Sequence, residues 1–133
     1  MSIMIEQIPG LPAGALGFRA SGQVTATDYS QVLVPDIEAA FAINRKLRLL
    51  YHVGPEFTGF DPGAVWEDVQ LGFRHFSGWD RAALVTDVQW LRVTAAAMGF
   101  AVPAEFKLFH NAQLDEAMAW ISEPRPADED GNK

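Results

Sequence analysis

The chain has 133 residues, enough for one domain with a buried core, and its 49% hydrophobic and 20% charged content is that of a globular protein. A formal net charge of −7 opposes a nucleic-acid partner and docking on anionic lipid, while the absence of cysteine excludes disulfides, thiolate metal sites and a cysteine nucleophile. No basic segment precedes an apolar one at the N-terminus and no apolar run nears the ~20 residues of a membrane span, so a cytoplasmic protein with no signal peptide and no transmembrane segment is expected.

Ile3–Ile8 reads as a first strand, and the turn chemistry of Pro9–Gly14 follows it. Leu16, Phe18 and Ala20 then alternate with Gly17, Arg19 and Ser21, the period of a strand with one buried face. So short a connection predicts an antiparallel pair. Thr25 and Asp28 have the spacing of a capping box, opening a helix that runs to about Asn44. Leu33, Ile37 and Phe41 form its apolar stripe. Pro35 lies inside the pattern and predicts either a kink or a later helix start.

Leu47–Val53 is an apolar run suited to a central strand, which Gly54-Pro55 is expected to stop. Glu56–Phe60 is then a loop carrying two aromatics. Its glycines predict a lid that lets Phe57 and Phe60 move between buried and exposed positions. Asp61-Pro62 opens a helix to Ser77, with the carboxylate at N-cap and proline at N1. Val65, Trp66, Val69, Phe73 and Phe76 share its apolar stripe, and His75 falls on the polar side.

Arg81–Thr86 is continuous rather than alternating, as in a strand covered on both faces. Asp87 can cap the next helix, Val88–Met98, which is apolar almost all round and has Arg92 as its only charge. Such a helix must be buried on every side or bound to something. Glu105–Phe109 is a last strand, and Asn111 caps a final helix with Leu114, Ala117, Met118 and Ile121 facing the core. Residues 1–122 form one domain, and Glu123–Lys133 is an acidic tail expected to be disordered. The order ββαβαβαβα predicts an α/β fold with a mixed, mostly parallel sheet and an antiparallel first strand.

The chemistry offers no familiar catalytic set. His52, His75 and His110 have no metal-ligand spacing, and Glu67-Asp68 point about 100° apart on their helix. There is no nucleophile elbow, no phosphate loop and no dinucleotide loop, so neither catalytic residues nor a cofactor are assigned. Ligands of open α/β sheets gather at the carboxyl ends of the strands. Here those ends offer Phe57, Thr58, Phe60 and Asp61 after the central strand, Asp87 with Trp90 after the next, and His110 with Asn111 after the last. Asp87 and Asn111 serve equally as plain helix caps, and Trp90 as core. Asp87 with His110 is the one pair suited to acid–base chemistry, given an approach of ~3 Å. The aromatics Phe57, Phe60, Trp66 and Trp90, with the apolar third helix, exceed what one side of a small sheet must bury. A well-filled core, an apolar pocket and a protein interface all account for them.

The segment Ala64-Val65-Trp66-Glu67-Asp68, then His75, Trp79, Ala83–Asp87, Trp90, Phe109 and Ala117–Trp120, resembles the SpoIIAA-like family, which is related to STAS domains, over roughly Ile3 to Ile121. The resemblance implies a mixed sheet with packed helices and a small bacterial protein of unknown function. Anti-sigma factor antagonists of the wider group carry a phosphorylatable serine in a D-S-S-G-like sequence. This chain has Asp61-Pro62-Gly63-Ala64 at the matching place, and the nearest hydroxyl is Thr58. The expected role is a non-enzymatic binding or regulatory module. Its expected partner is a lipid or other apolar small molecule, or a membrane surface. The alternatives are a homodimer or a regulatory protein partner met through the same helices, and a small enzyme using the strand-end pair.

Overall fold

The computed structural model describes residues 4–63, 78–99 and 104–123. Among these residues five strands form one sheet in chain order: β1 (Ile5–Gln7), β2 (Ala15–Val24), β3 (Leu47–Phe60), β4 (Trp79–Thr86) and β5 (Glu105–Phe109). β1 pairs antiparallel with β2, and every other neighbour pair is parallel. The predicted mixed, mostly parallel sheet with an antiparallel edge is therefore what forms. Among the described residues the α-helices are α1 (Ala26–Asp28), α2 (Val34–Phe41), α3 (Gln89–Gly99) and α4 (Leu114–Ile121).

The Thr25 hydroxyl accepts from the Asp28 amide and the Asp28 carboxylate accepts from the Thr25 amide, which completes the predicted capping box. A π-helical turn over Tyr29–Leu33 joins α1 to α2, and the Val34 amide donates to the Tyr29 carbonyl across five residues. Pro35 follows at once. Proline has no N–H to give and its ring crowds the preceding turn, and a widened turn there accommodates both. The Pro35 signal thus marks neither a kinked α-helix nor a late start but a change of helix type. Tyr29, Leu33 and Ile37 on the inner stripe are fully buried.

The sheet is covered on both faces. One core contains Phe18 and Ala20 of β2, Leu47 and Val53 of β3, and Tyr29, Leu33 and Ile37 from the first helical segment, with Leu91 of α3 packed against it. The other contains Leu50 of β3, Ala83 and Val85 of β4 and Phe109 of β5, under Ala117 and Ile121 of α4. At the amino ends of the strands two arginines reach the last carbonyls of α4. Arg48 Nε donates to the Ile121 carbonyl at 2.7 Å, and Arg81 Nη1 donates to the Trp120 carbonyl at 2.8 Å while lying over the Trp120 ring. Cations at a helix C-terminus complement its dipole.

The segment after Val53 is not a loop. β3 runs on through Gly54-Pro55 to Phe60, with Phe57 opposite Gly22 and Phe60 opposite Val24. Gly54, Pro55 and Glu56 stand against Ser21 alone, so the chain bulges there. β4 has stopped pairing at Val53, which leaves this stretch of β3 on an edge where the missing proline N–H breaks no ladder bond. The expected lid loop is therefore a strand extension that includes Gly54 and Gly59. Pro62 and Gly63 are helical, as Asp61-Pro62 predicts. The rest of that expected helix, with Trp66 and His75, lies outside the described residues, as does the expected tail beyond Glu123.

Gly22 sits at the bulge with φ of 61°, and a Cβ there would meet Met4 Sδ at 2.7 Å; at Gly54 a Cβ would meet nothing within 4 Å. Gly22→Ala should therefore cost about 1–2 kcal/mol in urea unfolding, from the left-handed backbone and the methionine contact together. Gly54→Ala should stay within about 0.5 kcal/mol of the parent. Equal effects at the two glycines would contradict the bulge described.

Candidate functional site

The carboxyl ends of the strands carry a chain of polar contacts on the α4 side of the sheet. Arg19 of β2 and His52 of β3 are register partners in the parallel ladder. Arg19 Nε donates to His52 Nδ1 at 3.2 Å. A guanidinium only donates, so Nδ1 is the accepting nitrogen and the proton sits on Nε2. That Nε2–H then donates to Asn111 Oδ1 at 3.2 Å. The backbone amide of Asn111 in turn donates to Asp87 Oδ1 at 3.1 Å, and the same oxygen pairs with His110 Nδ1 at 3.1 Å. Arg19, His52, Asn111, Asp87 and His110 thereby tie β2, β3, β4 and β5 to the start of the segment that becomes α4.

Three sequence expectations change in this geometry. Asn111 is not the cap of the last helix; its side chain is turned to His52, and the first turn is closed by the His110 amide donating to Gln113 Oε1. Asp87 does not cap α3, because the Thr86 hydroxyl accepts from the Val88 amide instead and the Asp87 carboxylate faces β5. Trp90 is not core, since it is 55% exposed. His52 was legible only as a histidine inside an apolar run. Its partner Arg19 was legible only as the polar side of β2, and register alone joins them.

Asp87 and His110 do approach as the acid–base reading requires. With Nδ1–H given to Asp87, a neutral His110 presents the Nε2 lone pair outward, the orientation of a general base held by a carboxylate. The surroundings do not sharpen that chemistry. Both side chains are 59% exposed, so water screens them, and among the described residues no hydroxyl or amine is bonded to either side chain as a nucleophile. The hydrogen bond from the Asn111 amide, then that from His110, holds the Asp87 carboxyl below its ordinary 3.8.

On the opposite face lies an apolar pocket of about 230 Å³. Its floor is Tyr51 and Val53 of β3 with Leu84 of β4, and Phe60 closes the end where β3 extends past the bulge. Tyr29 enters from the π turn, with its hydroxyl 3.3 Å from that of Tyr51. Leu91, Thr94 and Ala95 of α3 form the remaining wall. Phe57 stacks at a tilt on Phe60, with ring centroids 4.9 Å apart. Of the residues expected at the strand ends, Phe60 lines this pocket and Phe57 supports it. Thr58 is exposed on the strand, and Asp61 accepts a hydrogen bond from the Gln23 side chain. Tyr51 was legible only as part of the apolar run Leu47–Val53, and nothing local in the sequence pairs its hydroxyl with that of Tyr29.

α3 explains its own composition in part. Leu91 packs on the first core, and Arg92 Nη1 donates to the carbonyls of Thr86 and Phe109 at 2.9 and 2.8 Å, tying the ends of β4 and β5. Trp90 and Val93 point to solvent at 55% and 59% exposure. The helix is neither buried on every side nor covered there.

Burial, then the Arg19 charge, holds the His52 imidazole below its ordinary 6.5, and the Asn111 hydrogen bond and the Asp87 charge oppose this without reversing it. Below pH 6.5 the unfolded chain takes up a proton at this position that the folded chain resists. His52 therefore contributes stability that is full above 6.5 and is lost as pH falls toward the lower folded value. Urea unfolding at about pH 7.5 and about pH 5.5 should show a smaller loss in His52→Gln than in the parent chain. An identical loss in both would mean that His52 titrates as it does unfolded.

Residues 15–122 match the SpoIIAA-like family, from the first residue of β2 through the end of α4. No curated protein matches the chain. Among solved structures it is similar to an uncharacterized protein of the DUF3478 family with a SpoIIAA-like fold, from Shewanella loihica PV-4. That similarity is 26% in sequence identity, covers 88% of this chain and 91% of the other, and has a TM-score of 0.71. With a family match over nearly all of its sheet and helices, the chain belongs to the SpoIIAA-like family.

Proposed function

We propose that this protein is a non-enzymatic binding module that holds an apolar small molecule between the sheet and α3. The observation that carries this reading is the pocket of about 230 Å³ with Tyr51, Val53, Phe60 and Leu84 on its strand side. Pockets for drug-sized ligands run from about 300 to 1,000 Å³, so this one suits a short ligand or the end of a longer one. Small side chains face the sheet where a helix usually places large ones: Thr94 and Ala95 leave the space open. A neutral naphthylamine fluorophore should bind saturably, and Ala95→Leu, which puts a larger side chain into the space, should weaken it by about tenfold or more. Absence of saturable binding, or equal binding by Ala95→Leu, would end the proposal.

A second reading rests on the outer face of α3. Trp90 and Val93 are exposed there, and the helix's only charge, Arg92, is bonded to Thr86 and Phe109. In a chain of net charge −7, two copies meet most easily through a surface that carries no charge, and this face is one. The occupant proposed is a second copy of the chain. Sedimentation at micromolar concentration should show a dimer, and Trp90→Ala should weaken it by about tenfold or more while leaving the unfolding midpoint nearly unchanged. A strict monomer, or a variant that unfolds, would rule it out.

A further inference from the structure

We infer that Arg19 and His52 form a site for one small oxyanion, a carboxylate, sulfate or phosphate group in solution, taken up together with a proton. The inference is independent of the pocket and lies on the opposite face of the sheet. β2 and β3 are parallel here and the two residues are register partners, so their side chains project side by side from one face. Arg19 Nε and His52 Nδ1 are 3.2 Å apart and aimed at each other. With a neutral imidazole one nitrogen donates, the other accepts, and the gap between them is satisfied. The far side of the ring is already committed, because Nε2–H is given to Asn111 Oδ1 at 3.2 Å. A proton added to His52 therefore goes to Nδ1. Two N–H donors then face one gap, and neither has an acceptor.

An oxyanion resolves that conflict. One of its oxygens accepts from His52 Nδ1–H and another from the Arg19 guanidinium, and both bonds are charge-assisted. The two residues differ in burial in the way such a site needs. His52 is 7% exposed and held within the sheet, whereas Arg19 is exposed and can swing outward to admit the ligand. Among the described residues only Nε of Arg19 is hydrogen-bonded, so its terminal nitrogens are left for oxygen atoms. The charges that act on His52 are Arg19, which opposes its protonation, and Asp87, which favours it. Asp87 is itself held by the Asn111 amide and by His110 Nδ1. Glu6 of β1 is the register partner of Arg19, and Asp115 and Glu116 occupy the first turn of α4. These carboxylates oppose an incoming anion while His52 is neutral, and the added proton supplies the missing positive charge. The anion in turn screens the repulsion between the two cations. Protonation and binding are therefore reciprocal: acid strengthens the anion's binding, and the anion raises the pH at which His52 titrates.

The test adds sodium sulfate to the full chain, against sodium chloride at matched ionic strength. Sulfate takes up no proton of its own in the neutral to mildly acidic range, so any pH dependence belongs to the protein. His52 is followed through the proton and nitrogen signals of its ring. Sulfate should move the His52 titration midpoint upward, and should bind about tenfold more tightly at about pH 5.5 than at about pH 7.5. In His52→Gln the weaker affinity should hold at both pH values. In Arg19→Gln the affinity at about pH 5.5 should fall by about tenfold or more. A His52 midpoint that is the same in sulfate and in chloride would overturn the inference. That reading is made on the unsubstituted chain, so it decides the matter whether or not either variant folds. Sulfate affinity that does not change with pH, or that rises in acid equally in His52→Gln, would overturn the coupling to this proton.

Discussion

The alternation along β3 is the constraint on which the other elements depend. This strand lies between two parallel neighbours, and helices pack on both of its faces, so each face must be matched to what covers it. Leu47, Leu49, Tyr51 and Val53 belong to one face, under the first helical segment and α3. Leu50 belongs to the other, under α4, and Arg48 and His52 flank it in alternation. A shift of one residue would exchange the two sets, placing Arg48 and His52 under the aromatics and removing both of their anchors to α4. Register is therefore fixed by polar contacts as much as by apolar ones.

Those anchors act at opposite ends of α4. Near its C-terminus, Arg48 and Arg81 bond carbonyls that the helix itself leaves unsatisfied. Arginine suits this place because it stays charged under all ordinary conditions and presents several donors in a fixed plane. Before its N-terminus, His52 bonds Asn111 and Asp87 bonds the Asn111 amide. The strand-end polar chain thus has a structural account that does not require catalysis. It fastens four strands to the helix, and the exposed Asp87–His110 pair completes it at the rim.

Much of this architecture was legible in the sequence. The capping box at Thr25 and Asp28, the continuous run Arg81–Thr86, the stripe of α4 and the alternation of β2 all state local preferences that tertiary contacts preserve. The β3 extension was not legible. Gly54-Pro55 has every local mark of a stop, and what overrides it is the long-range partner strand Gly22–Val24 together with the end of β4 pairing at Val53. The π turn was hidden for a similar reason: Pro35 announces a disturbance but not which helix geometry absorbs it. At the site, Phe60, Asp87 and His110 could be placed at strand ends from their positions alone. The pairings of Arg19 with His52 and of Tyr29 with Tyr51 required register, which no local pattern encodes.

The division of the sheet into two unlike faces is what makes the pocket physically informative. On the α4 side, partly buried arginines and histidine are held by specific bonds. On the α3 side, the described pocket wall has no charge, and the helix brings Leu91 with the small side chains Thr94 and Ala95 to face Tyr51 and Leu84. Space left unfilled in an apolar interior forfeits dispersion contacts, and a closed cavity of comparable size costs a few kcal/mol. An opening to solvent reduces that cost without removing it, because the wall is still apolar. A larger residue at Ala95 would fill the space within one helix.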